Sequence, residues 1–341
     1  MLVSDWVDEE LREDVRAGRR PCPEYLVLEE RFGVELLDWS RLPRAARGRS
    51  PLLSLRHARA GAARLGEFDV VFTDGEHLAI PLAMLMRTSR SRSRARHLTI
   101  GHHLTTRAKR PWFRVLGAHH RIDRILLHSS RQVGLVPEQL GVPASRLALV
   151  PYSADANFWN PRPVPEEPLV VAAGREHRDY LTLAAACAGL RLDVHVAAGS
   201  LHSPAATWTR PGAWPDNFRT GFADRLELRD LYARASVVAV PLVPNDFQAG
   251  VTTIVEAMSM GKAVVVTATE GQRDVVTDGV TGVTVPPGDA AALRRAVMRL
   301  LGDPAERRRL GENARRAVER ELDVRIYAGR LARHAHEVAA L

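Results

Sequence analysis

The chain has 341 residues, 45% of them hydrophobic and 26% charged, with a net charge of +8. That length accommodates two domains with separate cores, and the composition is that of a soluble globular protein rather than a fibrous or disordered one. No long apolar run occurs, the N-terminus is acidic without an apolar core, and Cys22 and Cys187 stand far apart. A transmembrane span, a secretory leader, a disulfide framework and a metal site are therefore not expected, and a reducing cytoplasm fits.

The positive charge is almost all arginine, since lysine occurs only at Lys109 and Lys262. Such a balance suits phosphorylated small molecules or anionic lipid. No zinc finger, RNA-binding motif or basic-aromatic stripe is present, so nucleic acid is not an expected partner. The sharpest basic run, Arg87-Thr-Ser-Arg-Ser-Arg-Ser-Arg-Ala-Arg96, reads as a solvated loop between helix and strand, with peripheral contact to an anionic membrane as its second use.

Strand-like apolar runs alternate with helical patterns, which predicts an α/β fold with parallel sheets. The first 33 residues are polar and acidic, with no strand and Gly-rich loop near Met1, so the first domain is expected to be short. Strands are predicted at 34–38, 69–73, 97–101, 124–128 and 147–151, and helices at 77–87 and 131–140. Phe72-Thr-Asp74-Gly-Glu76-His77 is a strand end bearing acids: Asp74 suits a helix cap, and Glu76 an acceptor hydroxyl. Leu98-Thr-Ile-Gly-His102-His103 is a strand ending in two histidines, either ligand groups at a sheet mouth or a partly solvated pair. Lys109 and Arg110 just beyond either steady an anionic acceptor or belong to the surface, and His119-His120 reads as surface. Residues 155–168, rich in proline, read as the domain linker.

The second half restarts with a strand at 169–173 and continues with strands at 193–198, 218–221, 237–242, 263–267 and 282–285. Helices are predicted at 179–188, 228–235, 252–260, 272–277 and 290–301, and the tail from Pro304 is helical and amphipathic. Two doubly wound halves place a ligand in the cleft between them, at the carboxyl ends of their strands. Gly174-Arg175-Glu-His-Arg178 puts two guanidinium groups in a strand-to-helix turn, where they suit a diphosphate. Gln248-Ala-Gly250-Val251-Thr252-Thr253-Ile-Val-Glu256 is a loop running into a helix whose N-terminus is a seat for phosphate. Glu256 lies a turn inside, where a carboxylate can accept from ribose hydroxyls.

In order, Gly174-Arg175…Arg178, Phe218-Arg-Thr-Gly-Phe222, Leu231 to Pro241, Gln248…Glu256-Ala-Met-Ser-Met-Gly261-Lys262 and Asp278 to Asp289 resemble the C-terminal domain of group 1, family 4-type retaining glycosyltransferases. The resemblance covers 169–301 strongly and the first half weakly. It implies the GT-B fold, two Rossmann-like domains facing across a cleft: an acceptor-side domain at 1–160, a nucleotide-sugar domain at 161–320 and a C-terminal helix at 321–341 packing back on the first. It implies that Arg175 and Arg178, with the backbone of Gly250, Val251, Thr252 and Thr253, hold the donor diphosphate, and that Glu256 binds ribose. His102 or His103 would contact the donor sugar; Glu76 and Lys109 would serve the acceptor.

The family's first acidic residue falls on Gln248, which keeps an acceptor oxygen, gains an NH2 donor and loses the charge. The expected activity is a metal-independent, cofactor-independent, retaining transfer of a hexosyl group from a nucleoside-diphosphate sugar to a hydroxyl acceptor, with Gln248 as a positioning group. The alternatives are a sugar-nucleotide epimerase or hydrolase, or a sugar-nucleotide-binding protein without turnover.

Overall fold

The computed structural model describes residues 1–42, 50–88, 94–198 and 214–341. The middle of the basic run, 89–93, lies outside the described residues. The chain divides into two compact units: 1–17, 22–151 and 325–341 form the first, and 18–21 with 152–324 the second.

In the first unit Leu2 already lies in the sheet. Its N–H donates to the Phe72 carbonyl at 2.7 Å, and it bridges Thr73 on one side and Leu37 on the other. Helices α1 (Glu9–Arg16) and α2 (Glu24–Phe32) follow, α1 capped by Asp8. Then come α3 (Pro51–Ala63), β1 (Val70–Thr73), α4 (Glu76–Thr88), β2 (Arg96–Gly101), α5 (Arg110–Arg114), β3 (Arg124–Leu127), α6 (Ser130–Leu140) and β4 (Leu147–Leu149). The strands β1 to β4 pair in parallel in that order, with Leu126 opposite Ile100 on one side and Ala148 on the other. β2 is buried along nearly its whole length, as a parallel strand covered on both faces must be.

Two expectations change here. Residues 34–38 form no strand beyond the bridge at Leu37, because Asp38 is buried and its carboxylate accepts from the N–H groups of Val7 and Ser40, which turns the chain. The N-terminus, expected to lack a strand, contributes Leu2 to the sheet. The bridge is too short to show as a periodic pattern, and Ser4-Asp5-Trp6 follows it where a glycine loop was sought.

The second unit contains β5 (Glu167–Ala173), α7 (Tyr180–Cys187), β6 (Asp193–Ala197), β7 (Phe218–Gly221), α8 (Arg225–Arg234), β8 (Ala235–Val240), α9 (Val251–Ser259), β9 (Val264–Thr267), β10 (Val283–Val285), α10 (Ala290–Gly302) and α11 (Pro304–Ala317). Helix α12 (Val324–Ala339) lies almost wholly in the first unit, where Arg124 of β3 donates to Glu337 at 3.1 Å. The sheet of the second unit is parallel throughout, in the order β10-β9-β8-β5-β6-β7. That is the doubly wound order whose direction reverses between β5 and β8, and ligands bind outside the carboxyl ends of the two strands at such a reversal.

The first part of the 155–168 stretch belongs to this unit's core, while 160–168, with all its prolines, is exposed. Phe158 and Trp159 are buried edge-to-face at 4.8 Å, and the Trp159 carbonyl accepts from Ser259 Oγ at 2.6 Å and Arg315 Nη1 at 2.9 Å. Residues 272–277 are not a helix, because Gly271 and Gln272 are drawn into bonds with the loop before α9. The far end of α9 is fixed by backbone contact: a Cβ at Gly311 of α11 would stand 2.0 Å from the Gly261 carbonyl oxygen. Gly311→Ala should therefore force α11 away from α9 and cost about 2 kcal/mol, read as a lower urea midpoint at unchanged slope.

Candidate active site

At the carboxyl end of β5 the chain passes through Gly174 at φ +91° and His177 at φ +54°. A left-handed residue other than glycine is uncommon, although histidine tolerates it better than most. The His177 carbonyl accepts from Val243 at 3.0 Å, and Arg178 bridges Leu242, so the turn after β5 is laced to the segment after β8. Asp179 then caps α7 through Thr182.

This path folds the Arg178 side chain back over the strand end. Its Nε donates to the Ala173 carbonyl at 2.9 Å, Nη1 to the Glu176 carbonyl at 2.8 Å and Nη2 to Thr253 Oγ1 at 3.1 Å. All three acceptors are neutral. The guanidinium stands over the start of α9, where a Cβ on Gly250 would meet Nη1 at 3.0 Å and one on Gly174 would meet Nη2 at 2.4 Å. Gly250, at φ +78°, opens α9 with no side-chain cap. A cation and the positive end of a helix dipole thus converge, an arrangement that is favourable only once an anion lies between them. Arg175, half-buried, lies in the same turn.

Gln248 sits in the loop before Gly250, 7% exposed, and among the described residues neither its Oε1 nor its Nε2 has a hydrogen-bond partner. Buried polar atoms are paired in nearly all native proteins, so both ends of this amide are available to a further partner. Val251 and Thr253 are buried beneath the loop, and Thr252 is exposed at the helix start. Glu256, 8% exposed, follows in the second turn. Burial raises its carboxyl to about 8 against the opposing pull of Arg225, Arg178 and Tyr232.

The sequence pattern did not expose what holds this loop. Gln272 Nε2 donates to the Ala249 carbonyl, and Gly271 donates to the Asn245 carbonyl at 3.2 Å. Any Cβ at Gly271 would fall 1.9 Å from the Phe247 carbonyl oxygen, so only glycine allows the two backbones to touch. The signal in the sequence is Gly271, a glycine four residues past an apolar strand.

In the first unit, Glu76 opens α4 and is 6% exposed. Its carboxylate accepts from the N–H of His102 at 3.0 Å, the N–H of His103 at 3.3 Å and Lys109 Nζ at 2.6 Å, while Lys109 also donates to the His103 carbonyl at 2.6 Å. Burial would raise this acid, but His102, Lys109 and those bonds outweigh it and hold it near 2. Glu76 and Lys109 thus shape the His102–His103 turn. His102 is exposed, with Nε2 3.0 Å from the Asp74 carbonyl, and His103 is half-buried. Asp74 accepts from the backbone N–H and the hydroxyl of Ser4, which joins the N-terminal segment to this turn.

Two units with parallel sheets, the second with a strand reversal at its centre, have the architecture of the GT-B fold. Sucrose-phosphate synthase from Thermosynechococcus elongatus superposes with a TM-score of 0.69 at 21% identity, covering 89% of this chain and 83% of that one. A structure of Anabaena HepE with UDP-glucose gives 0.69 at 17% identity, covering 92% and 89%. Residues 215–317 match the family model described as glycosyl transferases group 1. It is 27% identical over 305 residues to the MMP alpha-(1->4)-mannosyltransferase of Mycolicibacterium hassiacum, covering 78% of this chain and 70% of that protein. Other curated relatives align over only 20% to 24% of their own length.

Glu256 gives a pH test. The unfolded chain releases this proton near the ordinary value of 4.5, whereas the folded chain keeps it to about 8. The unfolded state therefore binds fewer protons across that window, and the stability from Glu256 is full below it and lost as pH rises through it. Glu256→Gln should remove that loss: its melting temperature should fall less than the wild type's between about pH 5 and about pH 8 in calorimetric scans.

Proposed function

We propose that the chain transfers a hexosyl group from a nucleoside-diphosphate sugar to a hydroxyl acceptor on a glycan, lipid or secondary metabolite, with retention of configuration, in the cytoplasm. The observation that carries the donor class is the convergence of Arg178 with the uncapped N-terminus of α9. A diphosphate supplies the charge this seat calls for. Arg178, Arg175 and the backbone of Gly250 to Thr253 take the phosphates, and Glu256 takes the ribose. The similarity to a protein named as a mannosyltransferase, and to HepE with bound UDP-glucose, supports a nucleotide-linked hexose as donor.

In the proposed reaction the bond between the anomeric carbon and the diphosphate oxygen breaks while the acceptor oxygen bonds to that carbon from the same face. The acceptor's proton passes to the departing diphosphate. No strong protein base and no metal are needed; the arginines and the helix start offset the charge that grows on the leaving group. Gln248 orients the sugar hydroxyls through both ends of its amide. His102 or His103 takes the sugar contact, on the turn that Glu76 and Lys109 fix.

Titration calorimetry with UDP, GDP, ADP and dTDP should detect one that binds; no binding to any of them would sink the donor assignment. Arg178→Gln should weaken that nucleotide by about 2 kcal/mol, with the unfolding midpoint followed in parallel because Arg178 also braces the turn. The neutral Gln248 favours a second reading, a sugar-nucleotide-binding protein without turnover. Product mass spectrometry after mixing donor candidates with hydroxyl acceptors separates the two: Gln248→Glu should lower transfer about tenfold or more if the amide positions the sugar, and a gain would favour the second reading.

A further inference from the structure

Residues 77–122 contain no Asp or Glu, yet they carry nine Arg and Lys109. The fold gathers the described part of this stretch around α5. Arg87, in the last turn of α4, donates to the Gly117 carbonyl at 2.8 Å, which ties the start of the basic run to the turn after α5. Arg110 donates to Gln139 Oε1 at 2.7 Å, and Arg114 donates to the carbonyls of Gln139 and Glu138 at the end of α6. Phe113 is buried at 1% exposure, so α5 is clamped from beneath by one ring and from the sides by arginines. The same helix and its exit turn leave Trp112, Val115 and Leu116 at 42%, 79% and 40% exposure.

Three large apolar side chains within five residues thus stand outward on a firmly held element, with Arg110 and Arg114 exposed on the same helix and Arg107 and Arg121 exposed in the segments on either side of it. The exposed Glu138 lies at the α6 edge, where its carbonyl accepts from Arg114. Long arginine stems cover apolar surface while their heads seek anions, and a tryptophan suits the boundary between headgroups and acyl chains.

We propose that this surface seats the protein on an anionic lipid bilayer, with Trp112, Val115 and Leu116 entering the headgroup–acyl boundary and the surrounding arginines against lipid phosphates. Charge complementarity selects the occupant. A second copy of a chain with net charge +8 would bring like charges together, whereas an anionic membrane attracts the arginines and accepts the apolar tip. A nucleic acid would satisfy the arginines but gain nothing from an exposed valine and leucine.

Sedimentation of the full chain with vesicles tests this. Binding is expected to vesicles containing phosphatidylglycerol, to weaken as salt rises and to be absent with phosphatidylcholine alone. The variant Trp112→Ser/Val115→Ser/Leu116→Ser should bind phosphatidylglycerol vesicles about tenfold less or weaker, with an unchanged unfolding midpoint and unchanged nucleotide binding. Arg107→Gln/Arg121→Gln should bind less at low salt and show a shallower salt dependence. No binding to phosphatidylglycerol vesicles at low salt, or a triple variant that binds like wild type, would overturn the assignment. So would a wild-type dimer that the triple variant makes monomeric without lipid, or retention on DNA without retention on vesicles.

Discussion

The second unit turns on one electrostatic arrangement: the Arg178 guanidinium held against the N-terminus of α9. Its three bonds go to neutral oxygens, and the helix it meets has no capping side chain. In the free protein two positive ends share one place, and the neutral oxygens that Arg178 meets carry no charge to offset them. Everything around them serves to keep them there. Gly174 and Gly250 lack the Cβ atoms that would push the guanidinium away, and left-handed His177 turns the backbone so that Arg178 points back over β5.

The loop carrying Gln248 depends on a second constraint, contact between backbones. Gly271 lies against Phe247, and Gln272 holds the Ala249 carbonyl, so the loop is gripped from the strand end after β9. At the other end of α9, Gly311 lies against Gly261, and Trp159 receives Ser259 and Arg315. A helix fixed at both ends presents its first turn and Glu256 at set positions, which is the requirement for binding a ligand without reorganising. In the first unit the Glu76–Lys109 pair does comparable work. It satisfies the backbone of the histidine turn and keeps that turn in one shape, so two residues that read as acceptor ligands are more directly explained as its framework.

Much of this was legible in the residue order. Strands β1 to β10 fall within a few residues of the runs that predict them; most are apolar because a strand buried on both faces has to be, while the mostly exposed β7 and the partly exposed β4 are not held to that. The 34–38 run misled because Asp38, at its end, takes backbone N–H groups and makes a turn. The 272–277 run misled because a helix-like pattern was overruled by the bonds of Gly271 and Gln272 to a loop more than twenty residues earlier. The 155–168 stretch reads as a linker by composition, and its prolines are exposed, but Phe158 and Trp159 anchor its start in the core.

By itself the sequence determined the α/β class, the doubly wound second half, and the residue types at its two strand ends: Arg175, Arg178 and the Gly250-to-Glu256 helix start. These are local, set by periodicity, by glycine and by the chemistry of each side chain. Only the tertiary structure decided which guanidinium reaches the helix start, that both ends of the Gln248 amide are buried without a partner among the described residues, that Glu76 and Lys109 satisfy each other, and that Gln272 holds the Ala249 carbonyl. Each of those facts joins segments far apart in the chain, and the energy of a buried charge or amide depends on what the fold sets beside it, which no single stretch of residues specifies.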